Sequence, residues 1–82
     1  MHIRIYSTPA CGYCKLAKEF LKEKGIDFED VDVMANQEAA EEMIKLSGQM
    51  GVPVIAITKD DGQQEILVGF QEGKLKEILK IN

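Results

Sequence analysis

The run Val52-Pro53-Val54-Ile55-Ala56-Ile57 most restricts what this chain can fold into. Its side chains are apolar at successive positions, so a strand made from it needs cover on both faces. Such a strand sits inside a sheet with helices on either side. Proline cannot donate to a strand ladder, which places Pro53 at the strand's start or edge. The Asp61-Gly62 pair is a hairpin turn signal, and Glu65-Ile66-Leu67-Val68 then returns antiparallel.

Upstream, Met1, Ile3 and Ile5 alternate with His2, Arg4 and Tyr6, which predicts a strand over residues 2 to 7, ended by Ser7-Thr8-Pro9-Ala10. Leu16, Ala17, Phe20 and Leu21 fall at helical spacing between Gly12 and Lys24, with Gly25 as a stop. Ile26 and Phe28 alternate, then Val31 and Val33 do so out of phase, predicting a strand with a bulge or a late start near Asp30. Ala35, Ala39, Ala40, Met43, Ile44 and Ser47 form a second helical stripe, with Asn36 as cap and Gly48 as stop, and Glu38, Glu41, Glu42 and Lys45 outside. Gly69-Phe70 breaks the last strand, and Leu75, Ile78 and Leu79 predict a short final helix.

The reading is a βαβαββα domain of the α/β class over residues 1–82, with a four-stranded mixed sheet and helices on both faces. A chain that is 45% hydrophobic and 29% charged has the composition of an ordered globular domain. Its net charge of -4 argues against a general nucleic-acid binder, which needs a basic surface to displace counterions from phosphates. The first residues lack the apolar run of a signal peptide, and no stretch approaches the roughly 20 apolar residues of a membrane span. The expected location is the cytoplasm, where a close cysteine pair is catalytic or metal-binding rather than a structural staple.

Both cysteines stand in Cys11-Gly12-Tyr13-Cys14, where the first strand gives way to the first helix. A helix N-terminus carries roughly half a positive charge and unpaired N–H groups, and both favour a thiolate at Cys11. Cysteines so placed often have pKa values lowered to roughly 3.5 to 7.5, and the thiolate is the species that attacks a disulfide. The spacing suits a couple in which Cys11 attacks and Cys14 displaces the reduced product. A zinc site within one chain fails on ligand count, because the single histidine, His2, lies at the far end of its strand. An iron-sulfur cluster bridging two chains through Cys11 stays open as the alternative. Lys15, Lys18 and Lys22 share a helix face with Glu19 and Glu23 interspersed and read as solvated; Glu29, Asp30, Asp32 and the Glu38 to Glu42 group read as solubility features.

The segments "IYSTPACGYCKLAKEFL", "GVPVI" at 51 to 55 and "VGF" at 68 to 70 resemble, in order and spacing, the glutaredoxin-like members of the thioredoxin superfamily, most of all short bacterial glutaredoxin-like proteins. The resemblance covers nearly the whole chain and implies a glutaredoxin-type thioredoxin-like fold. It implies a cis bond between Val52 and Pro53, with Pro53 beside the cysteine pair and the Val52 backbone free to pair with an extended substrate segment. It also implies that Tyr13, Gly69 and Phe70 contact the substrate. Glutathione-using members usually carry a lysine where Thr8 stands, and commonly a Gly-Gly pair where this chain has Gly69-Phe70. The Gly-Phe pair is similar to that of glutaredoxin-like electron donors reduced by thioredoxin reductase. Gly12 stands where proline is common, which relaxes the turn. The expectation is a monomeric thiol-disulfide oxidoreductase that requires no cofactor, acts on disulfide-containing proteins, and takes electrons from thioredoxin reductase or glutathione.

Overall fold

The computed structural model describes residues 1–80. The expected domain runs on to Ile81 and Asn82, which lie outside the described residues. The elements follow the expected order: β1 (His2–Ser7), α1 (Gly12–Glu23), β2 (Glu29–Asp32), α2 (Gln37–Ser47), β3 (Val54–Thr58), β4 (Gln64–Val68) and α3 (Glu72–Leu79). The sheet order is β2-β1-β3-β4, with β1 and β2 parallel and the other pairs antiparallel.

The register fixes one end of the sheet as a meeting place. Ser7 pairs with Asp32 at the C-terminal ends of β1 and β2, Tyr6 lies opposite Val54 at the start of β3, and Val54 lies opposite Val68 at the end of β4. The loops after β1, β2 and β4 and the loop before β3 therefore leave from the same end.

Helices cover both faces. On one, Ile3, Ile5, Ile55, Ile57 and Leu67 pack with Ala17, Phe20 and Leu21 of α1 and Leu75 of α3. On the other, Tyr6, Val54 and Ala56 pack with Ala39 and Met43 of α2. Each fully buried Leu or Ile contributes about 1.5–3 kcal/mol relative to exposure, so the α1/α3 side carries most of the apolar stabilisation.

Several boundaries differ from the sequence reading. The first helix turns Cys14 inward and leaves Leu16 48% exposed, so its buried stripe is Cys14, Ala17, Phe20 and Leu21. β2 takes the late start, at Glu29; Ile26 and Phe28 pack beside the α1-side core without joining the ladder. β3 begins after Val52 and Pro53, consistent with the missing proline N–H. The hairpin is longer than a two-residue turn. Lys59 N–H donates to Gln63 O and Gly62 N–H to Lys59 O, so Gly62, at φ +89°, occupies the left-handed position of a three-residue loop.

α2 is bounded as its sequence dictates. Asn36 Oδ1 accepts the Ala39 N–H at 3.1 Å, and Gly48, at φ +73°, donates its N–H to Ile44 O at 2.8 Å. Replacing this cap, Asn36→Ala, is expected to lower stability by about 0.5–2 kcal/mol in urea unfolding.

Two carboxylates assigned to solvent hold elements together instead. Glu42 of α2 accepts hydrogen bonds from the buried Tyr6 hydroxyl and, at 2.6 Å, from Arg4 Nη1. Asp30 of β2 accepts from Ser7 Oγ at 2.8 Å and from Lys18 Nζ at 2.9 Å. The Tyr6 hydrogen bond and the nearby Arg4 guanidinium hold Glu42 below the usual carboxylate range against partial desolvation. A depressed folded-state pKa stabilises the fold above the unfolded value of about 4.3, and that contribution disappears as pH falls through the folded value. Glu42→Gln is therefore expected to flatten the acid limb of a stability-against-pH curve below about pH 4.3.

Candidate active site

The chain leaves β1 at Ser7, turns through Thr8-Pro9-Ala10, and enters α1 at Gly12. Cys11 N–H donates to Thr8 O at 3.3 Å, which closes the turn. Cys11 then occupies the capping position in extended conformation, φ -93° and ψ 113°, and its carbonyl accepts the Lys15 N–H. Its Sγ accepts the Cys14 N–H at 3.1 Å. Sulfur here does what a capping serine or aspartate oxygen does elsewhere, satisfying one of the helix's unpaired donors.

Cys11 and Cys14 are joined as a disulfide, with Cα atoms 5.3 Å apart. Their surroundings differ. Cys14 is 1% exposed on the sheet-facing stripe of α1, whereas Cys11 is half-buried at the rim. Of the two cysteines, Cys11 is the one with solvent access. The Cys14 N–H and the start of α1 face the Cys11 sulfur.

The shared sheet end brings the other expected residues to the same rim. The Val52–Pro53 bond is cis, Pro53 is fully buried, and Pro53 O accepts the Gly69 N–H at 2.8 Å. Gly69 sits at φ +83°, a left-handed conformation that a side chain would strain, where β4 turns toward α3. Tyr13 projects into solvent at 67% exposure. Phe70 turns the other way, packing on the α1/α3 core with its ring 5.8 Å from that of Phe20. Met34 and Met50, both more than 70% exposed, stand in the loops that leave this end of the sheet and were not singled out in the sequence.

A polar group that sequence reasoning missed joins α1 to the ends of β1 and β2. Lys18, expected in a solvated row, is half-buried and bound to Asp30, which also holds the buried Ser7. Burial pushes the Asp30 carboxyl up, but its hydrogen bonds to Lys18 and Ser7 outweigh this and leave it below the ordinary range. The available signal was Ser7 itself, a hydroxyl in the Ile3, Ile5, Ser7 alternation where an apolar residue is expected. No local pattern names its partner, because Asp30 reaches it across a strand pairing. Among the described residues, no group of three or more His, Cys, Asp or Glu side chains is placed to hold a metal ion. No helix among them is long and apolar enough to cross a membrane.

Comparison with known proteins agrees with this geometry. The glutaredoxin family model matches residues 3–61. A glutaredoxin-like 8.6 kDa protein of the rubredoxin operon of Clostridium pasteurianum is 49% identical over 78 residues, covering 95% of this chain and 97% of that one. The solved thioredoxin-like protein BC3987 is 32% identical with a TM-score of 0.80, covering 93% of this chain and 97% of that one. The glutaredoxin-like NrdH-redoxin of Escherichia coli, described as having a thioredoxin-like activity profile, is 29% identical with a TM-score of 0.78 and 95% coverage of each chain.

Proposed function

Because the chain belongs to the glutaredoxin family, we propose that it is a dithiol-disulfide oxidoreductase with Cys11 as nucleophile and Cys14 as resolving thiol. The observation that carries this reading is the asymmetry of the pair: Cys11 caps the helix and is reachable, while Cys14 is covered. In the reduced protein the Cys11 thiolate attacks one sulfur of a substrate disulfide and expels the other as a thiolate. The Cys14 thiol then loses its proton and attacks Cys11 Sγ, which releases the second substrate sulfur. Two electrons pass to the substrate, and the protein is left as the Cys11–Cys14 disulfide seen here.

The substrate class is a disulfide-bearing protein segment in extended conformation. In this reading the Val52 backbone pairs with such a segment, with Tyr13 and Gly69 flanking it; that Val52 precedes the β3 ladder supports it. Phe70 contributes by shaping the rim through Phe20 rather than by presenting its whole ring. The reaction requires no resident cofactor, and the proposed setting is a monomer in the reducing cytoplasm.

Thioredoxin reductase is the proposed electron donor. Glutathione binding in this family uses a lysine where Thr8 stands. It also uses open N–H groups at the start of the last helix, where Phe70 packs inward and Glu72 places a negative charge in the first turn. The thioredoxin-like profile described for the Escherichia coli relative supports the same donor. NADPH consumption with a disulfide acceptor is expected when the protein is supplied with thioredoxin reductase, and at least tenfold less with glutathione and glutathione reductase. Faster turnover with glutathione would overturn this choice of donor.

A further inference from the structure

We infer that Ser7, Asp30 and Lys18 form a positioning network that holds the resolving cysteine, Cys14, in reach of Cys11 and so governs the second step of exchange rather than the first. The inference rests on the proposed roles of the two cysteines. Ser7 is the polar side chain that the core buries among the described residues, at 2% exposure. It shares the inward face of β1 with Ile3 and Ile5, the face on which Ala17, Phe20 and Leu21 pack. Asp30 pairs in register with Ile5 and therefore points to the same side, where its two oxygens take the Ser7 hydroxyl at 2.8 Å and the Lys18 ammonium at 2.9 Å.

Lys18 closes the connection to the site. It lies one helical turn beyond Cys14, on a neighbouring position of the same face, and helical side chains lean toward the N-terminus. The network thus ties the opening turns of α1 to the ends of β1 and β2, at the end of the sheet from which the turn carrying Cys11 leaves. Ser7 O also accepts the Val33 N–H at 3.0 Å, which fixes the chain as it leaves β2. The directed hydrogen bonds from the buried Ser7 hydroxyl and the half-buried Lys18 ammonium to the exposed Asp30 carboxylate hold a particular orientation, where an apolar contact alone would let the helix slide.

The two steps depend on this restraint differently. Attack by Cys11 needs an exposed thiolate, supplied by the local cap. Attack by Cys14 on Cys11 Sγ is intramolecular, so its rate scales with how well the helix keeps the two sulfurs in near-attack geometry. Loosening the network slows resolution and lowers the stability of the internal disulfide against an external dithiol, leaving the first attack in place.

Reaction of the fully reduced protein with 5,5'-dithiobis(2-nitrobenzoate) separates the steps, because each releases one coloured thiolate, the second as Cys14 expels it from Cys11. In Ser7→Ala and Lys18→Met the second phase is expected to slow at least threefold with the first within twofold of the parent. The internal disulfide is expected to become at least threefold easier to reduce at equilibrium with dithiothreitol. Ser7→Thr and Lys18→Arg, which retain the hydroxyl and the cation, are expected to restore both. If Ser7→Ala loses its near-ultraviolet dichroism, Lys18→Met, which alters a side chain at the surface end of the network, decides the question. A folded variant with both phases and the equilibrium unchanged, or with both phases slowed equally, would overturn the inference. The underlying assignment fails separately, if Cys11→Ser releases the first thiolate at the parent rate.

Discussion

Cys11→Ser is expected to reduce disulfide substrates no faster than buffer alone, whereas Cys14→Ser is expected to accumulate a covalent mixed disulfide. The difference follows from where each sulfur sits. Cys11 is the half-buried cap whose sulfur receives the Cys14 N–H, and serine there is a far weaker nucleophile, even with the same donor and dipole. Cys14 is 1% exposed and meets no external disulfide directly. Its loss leaves the first attack intact and removes the group that expels the product. The check is a reductase assay paired with non-reducing intact-mass measurement after exposure to a disulfide-bonded protein. Near-equal loss in both variants with no adduct in Cys14→Ser would reverse the assignment.

Leu21→Ala is the substitution outside the site with the largest expected effect. Leu21 is fully buried on α1 against β1 and β3, in the cluster that also holds Ile5, Ile55 and Leu75. Emptying that position is expected to cost about 2–5 kcal/mol, from lost transfer energy and from the cavity left behind. In a domain of this size each kcal/mol lowers the melting temperature by roughly 4–8 °C, so the fall should exceed about 8 °C. Leu16→Ala supplies the contrast. Its side chain is 48% exposed, and the expected change is within about 0.5 kcal/mol. Because the sequence spacing placed both leucines on one stripe, thermal melts of the two variants test the observed helix phase. Equal losses would contradict it.

The parts of this fold legible in the sequence are those set by local chemistry. Asn36 and Gly48 bound α2 because a side-chain cap and a left-handed glycine act within a few residues of themselves. The apolar run at Val54 to Ile57 marked the central strand because burial on both faces leaves no polar alternation. The cysteine pair was equally plain, since the strand end and the helix start that define it are both local.

What was not legible depends on partners distant in the chain. Cys14 takes the place on the inner stripe of α1 that the spacing gave to Leu16, because hydrophobic spacing cannot distinguish two adjacent phases. Asp30 and Glu42 looked like solvated acids until strand pairing and the packing of α2 brought them to Ser7 and Tyr6. Phe70 was expected to contact the substrate, and its packing on Phe20, on the side of the sheet that α1 and α3 cover, was not legible in the sequence. The resemblance to known sequences supplied the cis Val52–Pro53 bond, which hydrophobic patterning leaves open.

The most direct test of the central claim is the pH dependence of iodoacetamide alkylation in the reduced protein, with each labelled cysteine identified by peptide mapping. Cys11 is expected to label first, with a pKa below the unperturbed value of about 8.5, while Cys14 labels slowly across the same range. Equal labelling of the two cysteines, or a Cys11 pKa near 8.5, would contradict the account of a helix-capped nucleophile with a covered resolving partner.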